Sequence, residues 1–170
     1  MIFIESSLSH LFQSAVDAFP HTTKRQHATD PVEISSIRWT PFLGMRTLMT
    51  KALAKNENRE YSCFIVFKNV NYHTGHNQGL ITLQTENHSY FLEKLSLINT
   101  HVLVRCSCPD FKWRFKYYDH LDRSLYGHKG KPYQSNGGLP ANPMEMEGMC
   151  KHLMKLSETL RNKGLFNEAN

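Results

Sequence analysis

Residues 105–113 read Arg105-Cys106-Ser107-Cys108-Pro109-Asp110-Phe111-Lys112-Trp113, and residues 148–153 answer them with Gly148-Met149-Cys150-Lys151-His152-Leu153. Cys106 and Cys108 form a Cys-x-Cys pair, and Cys150 and His152 form a Cys-x-His pair. Three of the chain's 4 cysteines fall in these pairs, a clustering that scattered core cysteines would not produce. Two thiolates followed by a thiolate and an imidazole make the four-ligand set that tetrahedral zinc prefers. A set filled entirely by protein groups leaves no open position for water or substrate, so the expected ion is a single structural zinc. Iron at a thiolate-rich site is the alternative metal. The competing readings are buried cysteines acting as small apolar residues and a disulfide network. The start of the chain, Met1-Ile2-Phe3-Ile4-Glu5, lacks the basic region of a secretory signal, which argues against disulfides and against secretion.

The spacing carries the fold outward from the ligands. Residues two apart on an extended strand share a face, so a strand ending in Cys106-Ser107-Cys108 offers both sulfurs to one ion. Residues two apart inside a helix point about 200° apart and cannot do so. Cys150 is therefore expected in the incoming loop or first turn and His152 just inside, with the last helix beginning at the metal and running from about Gly148 to Asn162. Leu153, Leu156 and Leu160 form its inward stripe.

The Cys-x-Cys…Cys-x-His order resembles the ligand pattern of SWIM-type zinc fingers over roughly residues 101–160. The resemblance implies that Cys106, Cys108, Cys150 and His152 are the ligands and that the module binds DNA or other proteins. The segment between the pairs is longer than the pattern requires. The run from Cys106 to Phe115, with Asn142-Pro143 and Gly148–Leu153, also resembles small proteins of tailed bacteriophages, some of them virion components. That likeness implies protein subunits of a larger particle as partners, with a virion location; without it, a cytoplasmic one is expected.

Before the first ligand pair, the pattern predicts an N-terminal helix and then an antiparallel meander. Leu8, Leu11, Phe12, Ala15, Val16 and Phe19 trace one helical face over residues 7–19, with Ser6 or Ser7 as cap and Pro20 as stop. Residues 20–31 form a polar arm whose Lys24 and Arg25 can meet phosphate. Residues 32–39 read as a strand and 61–70 as another through their β-branched and aromatic content; between them, 45–55 fits a helix through Leu48, Met49, Ala52 and Leu53 or a strand through the alternation of 46–50, and the strand is the reading taken. Residues 80–95 give a second hairpin and residues 101–106 the final strand. Cys63 reads as a buried core thiol. His73 and His76 have no supporting ligands nearby and are not assigned a metal. The expected architecture is α+β: one domain over 1–170, with a helix and basic arm in 1–30, a sheet in 31–105, and a zinc module in 106–160 with a long loop at 124–148.

Three readings stay open for the helix expected over 110–123. Lys112, Trp113, Arg114 and Lys116 mix bases and aromatics, which suits nucleic acid or a protein interface. The same mix also suits a helix packed by Phe111, Phe115, Tyr118 and Leu121 or Asp122 with a solvated basic face. The long loop after it is the best candidate for a partner surface, and its His120 and His128 are stand-in ligands should His152 not bind.

Composition is that of a globular chain: 170 residues, 40% hydrophobic, 21% charged, net charge +5 with His neutral. The modest positive charge permits a nucleic-acid partner without requiring one, and no run reaches the ~20 apolar residues of a membrane helix. No phosphate loop, nucleophile elbow or HExxH motif is present. A metal-dependent nuclease is the runner-up enzyme. Asp110, Asp119 and Asp122 do not assemble into a convincing cluster, and Asp119 and Asp122 read as plain helix surface. The expected function is non-enzymatic: a zinc-stapled adaptor in an assembly, with a nucleic-acid-binding module as the alternative.

Overall fold

The computed structural model describes residues 5–20, 27–132 and 140–167. It is an α+β fold with an N-terminal helix, antiparallel sheets and a C-terminal helical region. Helix α1 (Leu8–Ala18) is capped by Ser7, whose hydroxyl accepts the His10 N–H at 3.2 Å. This supplies one of the acceptors that a helix start lacks. Leu8, Leu11 and Ala15 are buried as the stripe required, whereas Phe12 stays 46% exposed. Lys24 and Arg25 lie outside the described residues.

Strands β1 (Val32–Phe42), β2 (Thr47–Asn56) and β3 (Arg59–Phe67) run as two successive hairpins. The meander then breaks. β4 (Tyr72–His73), β5 (Leu80–Gln84) and β6 (Ser89–Glu93) form a separate three-stranded sheet in the order β4-β6-β5. The last strand, β7 (Val102–Cys106), returns to pair antiparallel with β3, which completes a four-stranded sheet β1-β2-β3-β7. Alternation explains that return. Val102, Val104 and Cys106 are buried, opposite the buried Phe67, Ile65 and Cys63, so pairing with β3 buries both inward rows at once.

After β7 the chain enters a π-turn (Phe111–Phe115) continuous with α2 (Lys116–Asp122). The Lys116 N–H reaches back five residues to the Phe111 carbonyl. This widened turn shifts the inward register: Phe111, Arg114 and Phe115 are buried, Asp119 takes the next inward place, and Leu121 is 60% exposed. The stripe expected through Phe111, Phe115, Tyr118 and Leu121 or Asp122 therefore holds at the two phenylalanines, while Asp119 takes the inward place beyond them and Tyr118 and Asp122 are half-buried. The C-terminal helix α3 (Lys151–Asn162) packs on the inner face of the four-stranded sheet through Leu153, Leu156 and Leu160. Each fully buried leucine stabilises by about 1.5–3 kcal/mol. Beyond α3, Phe166 docks edge-on against Phe67 with ring centroids 5.8 Å apart. No helix among the described residues is long and apolar enough to cross a membrane.

Gly148 marks the tightest junction between these parts. A Cβ there would meet Phe115 Cε1 at 2.6 Å and Ala15 Cβ at 2.9 Å. Gly148→Ala is expected to destabilise the protein by about 1–3 kcal/mol through overpacking, read as a lower denaturant midpoint with an unchanged slope.

Candidate metal centre

Four donors converge where β7, the π-turn and α3 meet. Cys106 closes β7, and Cys108 follows where the chain turns into the helical segment. Cys150 is the extended N-cap of α3 (φ −78°, ψ 169°), and His152 sits in its first turn. The helix therefore starts at the cluster, as the two-residue spacing demanded. All four side chains are buried, and one donor atom from each lies within 4.8 Å of the others. They are close enough to hold one metal ion.

The surroundings suit such an ion. The Phe111 N–H donates to Cys108 Sγ at 3.2 Å, so the start of the π-turn addresses this sulfur, while α3 begins at Cys150. The Phe111 N–H thus favours negative charge on Cys108. Hydrogen bonds from Cys106 first, then Cys150, His152 and the Phe111 N–H, hold the Cys108 thiol far below the ordinary thiol range. Cys106 is pushed up chiefly by its hydrogen bond to Cys108, and Cys150 chiefly by burial. A dication at this point would displace the remaining thiol protons and bind thiolates. His152 Nδ1 lies 3.9 Å from Cys106 Sγ, while its buried Nε2 has no hydrogen-bond partner. The ring is held instead against Tyr61, with centroids 4.8 Å apart.

Cys63 belongs to this neighbourhood without belonging to the four. It pairs across the sheet with Cys106, and the two sulfurs are 3.6 Å apart. Its hydrogen bond to Cys106 pulls its pKa down, but burial and the Cys150 and Cys108 sulfurs outweigh that and keep the thiol above its ordinary value. Spacing alone offered no link between Cys63 and the site. The signal was the strand assignment itself, because pairing 61–70 with 101–106 puts Cys63 opposite Cys106.

The basic residues expected to contact a partner are divided by the fold. Lys112 and Trp113 are exposed, with Lys112 Nζ 4.5 Å from the indole centroid, and Lys116 is half-buried. Arg114 is withdrawn from the surface at 4% exposure. Its guanidinium grips Asp110 in two 2.6 Å hydrogen bonds and lies over the rings of Phe19 and Phe115, 4.5 Å from each centroid. Arg114 therefore fastens α1 to the π-turn. His120 and His128 are exposed and outside the donor cluster.

The acidic residues differ from expectation as well. Asp119 is fully buried; its Oδ1 accepts the Gly148 N–H at 2.8 Å and its Oδ2 has no partner. It is an anchor for the turn that delivers Cys150, and not plain helix surface. Asp122 is half-buried and accepts from the Ser6 hydroxyl at 2.6 Å. Asp122, His10 and Glu147 also place donor atoms within 4.8 Å of one another, with His10 Nε2 2.6 Å from Glu147 Oε1. Sequence spacing cannot bring residues 10, 122 and 147 together; the fold does, through the Ser6 bond to Asp122 and the bonds of Ser14 and His10 to Glu147.

No family model, curated protein or solved structure matches the chain.

Two outcomes test this geometry. Elemental analysis of purified protein should find that Cys106→Ala and Cys150→Ala lose the metal, whereas Cys63→Ala keeps it; metal loss in Cys63→Ala would place that sulfur among the ligands. Burial holds the Asp119 carboxyl well above its ordinary value. The folded state thus favours the protonated acid. The stabilisation this gives is complete below the ordinary carboxylate range and is lost as pH rises through the raised value, with a slope of about 1.4 kcal/mol per pH unit in between. Asp119→Asn keeps the acceptor for Gly148 and removes the charge. It should melt above wild type in mildly alkaline buffer, with the gap shrinking in acid.

Proposed function

We propose that the chain is a non-enzymatic scaffold stapled by one structural zinc ion at Cys106, Cys108, Cys150 and His152, and that it serves as an adaptor or subunit within a larger assembly. The observation that carries this reading is the closure of the site: three thiols and an imidazole, all buried, converge on one point. Four protein donors fill a tetrahedral shell and leave no position for substrate, which is the arrangement of structural rather than catalytic zinc. The 3.9 Å from Cys106 Sγ to His152 Nδ1 is close to the ~3.6 Å spanned by two ligands of a tetrahedral zinc with ordinary Zn–S and Zn–N lengths.

The surface supports subunit contacts. The tip of the β1–β2 hairpin exposes Phe42, Leu43 and Met45 at 46%, 51% and 76%. Three neighbouring apolar side chains in water are the kind of feature a partner covers. The loop at 124–148 remains a second contact candidate, although residues 133–139 lie outside the described part. A tailed-phage particle is the setting that the run from Cys106 to Phe115 favours.

The test is metal content with a thermal melt before and after chelation. One zinc per chain is expected, with a drop in Tm of about 10 °C or more on stripping. A Leu43→Asp, Met45→Asp variant should keep its zinc and its melt yet fail to enter the particle assembled in its native host. Protein that carries no metal and melts unchanged after chelation would overturn the zinc reading; a variant that assembles normally would remove the hairpin tip.

A further inference from the structure

The strand register lines up a row that the sequence does not display. Arg38 lies opposite Lys51, Lys51 opposite Phe64, and Phe64 opposite Arg105. The four residues cross the sheet from β1 through β2 and β3 to β7. Facing partners share one side of a sheet. Here it is the side away from α3, since the alternate residues Ala52, Cys63, Ile65, Val104 and Cys106 are the buried ones. Three strand-to-strand steps make the row about 14 Å long.

The row continues past the sheet edge. Residues 124–126 run beside β7, with Val104 and Leu125 bridged in parallel. This places the Tyr126 ring on Phe64, with centroids 5.4 Å apart and planes tilted by 36°. Lys51 Nζ approaches the Phe64 ring at 5.6 Å. Arg105 Nη1 donates to the carbonyls of Tyr126 and His128, which fixes the segment in place. Lys116 lies close enough to Arg105 and Lys112 that, after burial, their charges depress its pKa, and its stem packs against Gly130, between the exposed Lys129 and Lys131.

Cations outnumber acids along this row; Glu86, in the turn between β5 and β6, lines a cleft with Arg38 but forms no ion pair with it. Glu33 and Glu60 both face Lys55 at the far end of the sheet, and Asp110 is taken by Arg114. Among the described residues, no ion pair involves Arg38, Lys51, Arg105, Lys112 or Lys116. A row of cations interrupted by a tilted aromatic pair, on the sheet face opposite α3, has the chemistry of a platform for unpaired bases. Phosphates meet the cations, and a base meets the aromatic faces. An acidic peptide would use the cations and leave the Phe64–Tyr126 pair without a role. A duplex hides its base faces from a sheet of this kind.

We propose that the outer face of the four-stranded sheet, through Arg38, Lys51, Phe64, Arg105 and Tyr126 with Lys112 and Lys116 at its margin, binds single-stranded nucleic acid. This surface shares β7 with the metal-ligand cluster but uses none of its four donors, and it is separate from the exposed hairpin tip.

The experiment is fluorescence anisotropy of a labelled oligothymidylate with zinc-loaded full-length protein, set against the corresponding duplex and polyglutamate over a range of salt. The single strand should bind most tightly and weaken steeply with salt. Arg38→Ala with Lys51→Ala should lower the salt slope by about 1.4, near 0.7 for each phosphate of a single strand that is no longer neutralised. Both side chains are exposed and away from the metal, so metal content and melting should not change. Phe64→Leu keeps an apolar side chain and removes the stacking face; it should weaken binding by about tenfold with the salt slope retained. Absent binding at low salt, preference for the duplex or for polyglutamate, or unaltered binding in the double variant would each overturn the proposal. None of those results would bear on the zinc staple, which is read separately from metal content.

Discussion

Four polar donors share one buried point in this protein, and that is only stable under narrow conditions. Burying three thiols and an imidazole without compensation is costly. Their convergence therefore demands hydrogen bonds and, in the reading proposed above, a dication. Much of the architecture follows from meeting that demand. β7 must end at the cluster to present Cys106, the π-turn must begin there so that the Phe111 N–H reaches Cys108, and α3 must start there so that Cys150 and His152 face the same point.

The elements that meet at the cluster are bound to one another by a second set of contacts. Arg114 ties the π-turn to Phe19 at the end of α1, and Asp119 ties α2 to Gly148 just ahead of α3. Asn142 adds a third tie, donating to the carbonyls of Arg114 and Met146. These are polar residues in buried places, each with named partners, and they hold a segment whose own sequence has little regular periodicity. The polar clamp, together with the proposed metal staple, would fix both ends of this long connection.

The two faces of the four-stranded sheet divide the labour. The inner face carries the aliphatic row and the sulfurs, covered by α3. The outer face carries cations and aromatics in register. One alternation sets both, because every residue that points a cysteine or valine inward places its neighbours outward. The same strands that position Cys106 therefore position Arg105, and the proposed metal site and the proposed nucleic-acid surface share β7.

By itself the sequence determined the parts whose signals are local. The four donors were legible because ligand chemistry leaves its mark in residue type and two-residue spacing. Helix α1, strands β1 and β3 and the start of α3 were legible because caps, β-branched runs and helical stripes act within a few residues, whereas β2 fitted a helix as well as a strand until its pairing with β1 and β3 decided it. What only the tertiary structure decided rests on separations that no local pattern encodes. β7 skips the second sheet to join β3, which sets Cys63 beside Cys106. Docking of α1 turns Arg114 from a surface base into an internal clamp, and the π-turn carries Asp119 inward where regular spacing put Tyr118. The outer row of Arg38, Lys51, Phe64 and Arg105 exists only once three strand registers are fixed, because its members are drawn from four strands and share no spacing along the chain.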